Sequence, residues 1–258
     1  MAMFERARRL ILLTGGHPFQ RAAFLAMLPG AGWEVVALRH PAAETELPAL
    51  SIDEGDVLLC YDMPGYRFTP GAMETRPPSA AFQRAIRARA EAGCGMVLMH
   101  HALAGWPDWP EWAEIVGGRF LYRASTLRGR RCGDSGYLPA ATYQAHVAGD
   151  HPVTAGLPMS FELTDELYLA EVFEDQVEPL LVTDFDLASP GFCSAAAAVG
   201  VASSETWDRP QGSRLLAWTQ VYRHARVVTL QPGDGPSAYA NPCLRRLLAQ
   251  ALDWAGRS

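Results

Sequence analysis

Eight polar side chains carry most of the chemical potential of this sequence. His17 follows the apolar run Leu10–Leu13, Asp62 follows the run 56–61, and His100 and His101 follow Met96–Met99. Asp165, Glu166 and Tyr168 lie together in FELTDELY, and Asp234 follows the apolar run 226–230 in LQPGDG. Imidazoles and carboxylates hold divalent metals and move protons near neutral pH. In an open parallel sheet, ligands bind beyond the carboxyl ends of the strands, where the connecting loops converge. The recurrence of such groups at the ends of apolar runs therefore says more than any one of them.

Each has a plainer reading too. A histidine at a strand end can pack or cap a loop, and Asp62 can cap a turn. Adjacent side chains on an extended strand point to opposite faces, so only one of His100 and His101 faces a shared site unless the strand has already broken. His40-Pro41 reads as a turn. His146 and His151 have no fixed helical relation, and His224 falls in a hairpin connection, exposed. CGDSGY at 132–137 reads like the serine segment of chymotrypsin-like proteases, but in a Gly-rich loop of an α/β chain it is accidental. A GxSxG elbow and a GxGxxG loop are both absent.

The elements that must position these groups follow from the pattern of apolar residues. Leu10–Leu13, Trp33–Leu38, residues 56–61 and Met96–Met99 read as buried strands. Between them, 19–28 and 79–92 have helical spacing, the first ending near Pro29-Gly30 and the second at Gly93. Alternating strands and helices imply a parallel sheet covered on both faces. Residues 124–150, rich in Arg, Gly and polar side chains, read as a loop or an excursion from that sheet. Leu180–Thr183 reads as a strand, Leu215–Tyr222 and 226–230 as a strand pair, and 241–255 as a closing amphipathic helix with Pro242 in its first turn. With no linker in view, 1–258 is one α/β domain.

Composition narrows the chemistry. The 258 residues carry 22 Lys+Arg against 28 Asp+Glu, a net charge of −6, with 49% hydrophobic and 19% charged residues. That describes a core-forming globular chain, and its mild acidity argues against a nucleic-acid partner. All 22 basic residues are arginine. The absence of lysine excludes Schiff-base aldolases, pyridoxal-phosphate enzymes and Walker-type phosphate loops. Five scattered cysteines without a CxxC are neither a disulfide framework nor a thiolate zinc site. Arg6, Arg8 and Arg9 precede only four apolar residues, too few for a signal-peptide core, and no run reaches membrane-spanning length. These features predict a soluble, cytoplasmic, bacterial protein. Its oligomeric state stays open, with a homo-oligomer possible.

Seven segments in order carry a resemblance: LILLTGGHPF, GMVLMHHALAGW, EIVGGRF, HPVTAGLP, FELTDELY, ARVVTLQPGDG and NPCLRRLLAQALDWA, spanning about residues 8 to 255. The chain resembles the ThuA-like (trehalose-utilisation) family, within the class I glutamine amidotransferase-like superfamily. The resemblance implies a flavodoxin-like three-layer sandwich with a mostly parallel central sheet. In true amidotransferases a cysteine holds the strand-to-helix elbow. His100 stands at the matching position, so thiolate-driven glutamine hydrolysis is lost. Cys94 lies at the wrong end of its strand and Cys60 inside another.

The family is linked with sugar catabolism, especially 3-keto derivatives of disaccharides, and some members bind a divalent metal. Carried over by position, His17, His100, Asp165 and Glu166 are site residues, with His151 and Tyr168 also on motif positions, although HPVT can instead form a structured turn. Two departures stand out. Tyr122-Arg123 replaces a histidine common after the GGxF motif, and Gly233-Asp234 replaces a common GH. Asp can serve in place of His as a hard oxygen ligand for zinc or manganese.

The expectation is thus a metal-assisted hydrolase, lyase or isomerase on a keto-sugar. His100, Asp165 and Glu166 would be catalytic, and His17, His100, Glu166 and Asp234 would be metal ligands. Asp62, His101, Trp106, His151 and Tyr168 would bind substrate, and Trp106, Trp109 and Trp112 could stack on a sugar face or pack in the core. The alternative is a ligand-binding or regulatory module that kept the fold after losing its nucleophile.

Overall fold

The computed structural model describes residues 8–30 and 32–257; Arg6 of the basic start lies outside them. The nine principal strands are β1 (Arg8–Gly15), β2 (Trp33–Arg39), β3 (Val57–Asp62), β4 (Gly95–Met99), β5 (Gly136–Val147), β6 (Ser160–Leu169), β7 (Glu178–Thr183), β8 (Leu215–Tyr222) and β9 (Ala225–Leu230). They form one sheet in the order β6-β5-β7-β8-β9-β4-β3-β1-β2, with the short Cys193–Ser194 strand added beside β5. From β2 to β9 the neighbours are parallel, and from β9 to β6 they are antiparallel.

The period-2 geometry of a strand explains the layers. On β1, Leu10 and Leu12 face one way and pack with Phe24, Tyr239, Leu244, Leu248 and Leu252. Ile11 and Leu13 face the other way and pack with Leu47, Phe82, Ile86 and Ile115. Helices α1 (Arg21–Leu25), α6 (Pro236–Ala240) and α7 (Pro242–Ala255) thus cover one face, α2 (Ala43–Ala49), α3 (Ala80–Glu91) and α4 (Pro110–Val116) cover the other, and the four-residue α5 (Ala195–Ala198) follows the Cys193–Ser194 strand. This is the three-layer sandwich the sequence predicts.

Helix ends follow their residues. The Ser79 hydroxyl accepts the Phe82 N–H at 3.2 Å and starts α3. The Asn241 side chain accepts from Cys243 and Leu244, with Pro242 in the first turn of α7. The first helix is shorter than its apolar spacing implies, because the chain turns after Leu25 before reaching Pro29.

The stretch 124–150 corrects the sequence reading. Only its first part, a small hairpin of residues 125–127 and 130–132, is an excursion. Gly136–Val147 is a twelve-residue strand of the main sheet. Its pattern was obscured because β5 sits at a sheet margin, with much of its surface exposed and a register shift between Leu138 and Ala141. The β5–β6 hairpin joins β7 only through Ala145–Val147. Its remaining length runs past β7, pairs with Cys193–Ser194 and meets the loop after β9. Among the described residues no helix is long and apolar enough to cross a membrane.

Candidate functional site

The carboxyl end of β4 holds the centre of the site. The strand stops at Met99, and His100 takes a left-handed backbone conformation, φ 47°. That break removes the opposite-face rule of an extended strand. Both imidazoles turn the same way, with ring centroids 4.6 Å apart, so the pair faces one site together. This is the broken-strand case that the sequence left open, and local backbone geometry decides it.

His17 reaches the same place from the end of β1. Gly16 precedes it at φ 83°, where a Cβ would lie 2.1 Å from the Met63 carbonyl oxygen, so only glycine fits. The His17 ring lies 4.0 Å from that of His101. Its Nδ1–H donates to the Pro18 carbonyl at 2.8 Å, which leaves Nε2 with a free lone pair.

Strand β6 supplies the acidic groups, and its alternation splits neighbours between faces. Asp165 is buried and accepts the backbone N–H groups of Gly233 (2.5 Å) and Asp234 (3.1 Å). Burial pushes its carboxyl up to about 6, against the pull of His100 and those N–H donors. Asp165 therefore fixes the loop that carries Asp234. Tyr61 and Tyr239 hold the same loop by donating to the carbonyls of Gly233 (2.8 Å) and Asp234 (2.6 Å). Glu166 faces the other way and stands 3.1 Å from His100 Nε2. Tyr168, two residues on, places its hydroxyl 2.7 Å from the same nitrogen.

The protonation of His100 follows from its partners. Nδ1–H donates to the Gln231 carbonyl at 2.6 Å, so chemistry is left to Nε2. Burial alone would lower its pKa. The Glu166 hydrogen bond and the nearby carboxylates of Glu166, Asp165 and Asp234 overcome that and push it up to about 9. His101 goes the other way: burial, then His100 and His17, hold it neutral, well below the ordinary histidine range.

His101 Nε2 is buried and has no hydrogen-bond partner among the described residues; an Asp234 carboxylate oxygen is 3.8 Å away. His100 Nε2 lies 3.5 Å from that same oxygen. Ligand atoms of His100, His101 and Asp234 all fall within 4.8 Å of one another. A buried neutral imidazole nitrogen without a partner, beside a second imidazole and a carboxylate, suits zinc or manganese. The two nitrogens and one oxygen leave further positions open for His17, for water or for substrate.

The cavity above this cluster has a volume of about 310 Å³. Its polar side is His17, His101, Glu166 and Asp234; Phe120, Tyr122, Tyr137 and Tyr168 form an aromatic side, closed by Ala198 and Val199. Phe120, Tyr122 and Tyr137 were not singled out in the sequence as site residues. Tyr137 sits in the stretch read as a loop, which hid it. Phe120 belongs to EIVGGRF, a segment that carries the resemblance without marking this side chain.

Several expected residues belong elsewhere. Asp62 is buried with its carboxylate 2.8 Å from His40 Nε2, away from the cavity. Trp106, Trp109 and Trp112 are 0%, 4% and 1% exposed, too buried to stack on a ligand, and they pack with α3 and α4. His151 accepts the Val153 N–H at 3.1 Å and packs on Trp254, so HPVT is a structured turn. In the CGDSGY loop, Asp134 accepts from Ser194 and Ala196 at the start of a short helix, and the Ser135 hydroxyl accepts the Leu121 N–H, so the segment is structural. None of the five cysteines lines the cavity. Burial raises the Cys60 thiol and pushes Cys94 up to about 11, so neither is a thiolate.

Comparison with known proteins agrees with this architecture. A ThuA-like protein from Parabacteroides merdae superposes with a TM-score of 0.67 at 16% identity, covering 96% of this chain and 90% of that one. A second, from Bacteroides uniformis, gives 0.66 at 17% identity, covering 98% and 94%. PurLQS from Thermotoga maritima gives 0.51 at 12% identity, covering 96% and 99%. No curated protein matches the chain. The family described as ThuA, trehalose utilisation, matches residues 20–255. The chain therefore belongs to the ThuA, or trehalose-utilisation, family and has the class I glutamine amidotransferase-like fold.

Proposed function

We propose that the protein is a metal-assisted enzyme of carbohydrate catabolism that acts on a keto-sugar or a related small sugar derivative. The family sets the context of carbohydrate metabolism. The observation that carries the reading is the unpartnered, buried His101 Nε2 beside His100 and Asp234.

His101 and Asp234 would hold the ion, with His100 as a third ligand once its Nε2 proton leaves, and His17 at hand in the same cavity. A divalent metal there supplies Lewis acidity, polarising a carbonyl or lowering the pKa of bound water. The protein's own groups do the rest. Glu166 borders the cavity and takes a proton from the carbon beside a substrate carbonyl, a role that needs only hydrogen-bond reach. Tyr168, stacked on the His100 ring, packs that end of the site, and its hydroxyl and Glu166 hold His100 Nε2 only until the ion takes that nitrogen. Asp165, buried and bound to backbone N–H groups, positions Asp234 and moves no proton to substrate.

Elemental analysis and thermal melting test the metal. The purified protein should carry stoichiometric zinc or manganese and melt higher when the ion is added. His101→Ala should lose both effects while its metal-free melting temperature stays close to the parent's. Parent protein with no stoichiometric metal and no metal-induced rise in melting temperature would overturn the proposal.

A further inference from the structure

Tyr137 differs from its aromatic neighbours in the cavity. Tyr168 stacks on His100 with centroids 4.5 Å apart, and its hydroxyl is bound to that histidine. Phe120 packs on Tyr168 and Tyr122 at 4.4 and 5.2 Å. Tyr122 is backed by Tyr66 and Phe68, and its hydroxyl points to the Met63 sulfur at 3.7 Å. Tyr137 lies directly across from Tyr168 in the β5–β6 pair, which puts both on one face of the hairpin. Among the described residues it stacks on no other ring, and its hydroxyl has no partner.

The charge of the cavity narrows what that free ring meets. Among the described residues no arginine lines it, the chain has no lysine, and two carboxylates, Glu166 and Asp234, border it. Phosphate esters are held by guanidinium or ammonium groups, and carboxylates repel them. The volume of about 310 Å³ lies at the small end of ligand pockets, which run from about 300 to 1,000 Å³, and so suits a single ring. A sugar ring offers an apolar C–H face to an aromatic surface and hydroxyls at its rim, which matches a half-buried tyrosine.

We propose that Tyr137 is the specificity-determining residue of this cavity: a neutral, unphosphorylated sugar ring stacks on its face and bonds its hydroxyl. The inference deepens the sugar reading above and rests on it, but it does not need the metal.

The test uses the full chain, stripped of metal, with D-glucose and glucose 6-phosphate as probes in a binding titration. Glucose should bind, and glucose 6-phosphate should bind more weakly. Tyr137→Ala should weaken glucose about tenfold through the lost ring, and Tyr137→Phe about threefold through the lost hydroxyl. Zinc titration of the same variants reports whether the cavity is intact, and their zinc affinity should match the parent's. Three results would each overturn the inference: no glucose binding by the parent, tighter binding of the phosphate ester, or an intact Tyr137→Ala variant that binds glucose as the parent does. No zinc binding in any form would sink the metal proposal alone; a Tyr137→Ala variant that melts like the parent yet loses glucose would then still uphold Tyr137.

Discussion

The two halves of the sheet serve the site in different ways. The parallel half, β2-β1-β3-β4-β9, delivers His17, His100, His101 and Asp234 from loops just past strand ends. The antiparallel hairpin β5–β6 delivers Tyr137, Asp165, Glu166 and Tyr168 from within its strands. Loop residues at strand ends take their direction from local backbone features such as Gly16 and the His100 elbow. Strand residues take theirs from the alternation of the whole hairpin, so the acidic side of the site is only as well placed as the hairpin is docked.

The same deletion in each half should separate them. Leu59, in β3, is fully buried between two helical layers. Leu59→Ala should cost about 2–5 kcal/mol of global stability, read by urea denaturation. Leu163, in β6, is buried on a strand at the sheet's margin, with its neighbours Glu162 and Thr164 exposed. Leu163→Ala should fall near the low end, about 2 kcal/mol, and should speed amide exchange in β5 and β6 before the rest of the sheet. Equal costs with no selective exchange would show that the halves open as one unit.

A smaller effect is expected where the halves meet through hydrogen bonds. Asp165→Asn keeps the shape but weakens the hold on the Gly233 and Asp234 N–H groups, and should cost about 1–3 kcal/mol. It should also weaken zinc by loosening Asp234, measured by competition with a chelator. A variant with parent zinc affinity would mean that Tyr61 and Tyr239 fix that loop alone.

The smallest effect concerns Glu111, which ties α3 and α4 to β8. Its carboxylate accepts from Arg87 Nε (2.7 Å), Trp109 Nε1 (3.3 Å) and the Tyr222 hydroxyl. Burial would raise its pKa, but the hydrogen bonds from Arg87 and Tyr222 and the Arg87 charge outweigh that and hold it down, to about 2. A carboxyl lower in the folded than in the unfolded state stabilises above the unfolded value, about 4.3, and the gain is lost as pH falls towards 2. Glu111→Gln should therefore cost about 1 kcal/mol at pH 7, a figure reduced for solvent screening. The difference from the parent should shrink between pH 4.5 and 2 in thermal melts; a constant difference would count against an ionic origin.

The same contrast explains what the sequence reveals. Continuous apolar runs such as 10–13 and 96–99 mark buried parallel strands, and the polar residues after them mark the rim, so His17, His100, His101 and Asp234 were legible. The helix 242–255 was legible from its spacing and from Asn241-Pro242. In FELTDELY the chemistry stood out from the residue types, yet nothing local showed that Asp165 and Glu166 face opposite ways until β6 was seen as a strand. Gly136–Val147 was illegible because half of it meets solvent and carries Pro139 with a register shift. Trp106 misled because an aromatic residue near a site motif looks like a platform, whereas it packs under α3 with Trp109 and Trp112, the core packing that was the other reading of the series. The His40–Asp62 pair joins strand ends in space, which no spacing along the chain announces.

The bend at His100 has a further consequence. Main-chain geometry, not side-chain crowding, splays the two adjacent imidazoles towards one point. They are aimed before any cation arrives, so capture would spend little of its affinity on ordering them. Binding an ion through both would still have to displace the His100 Nε2 proton, so such a pair would favour its ion more as pH rises.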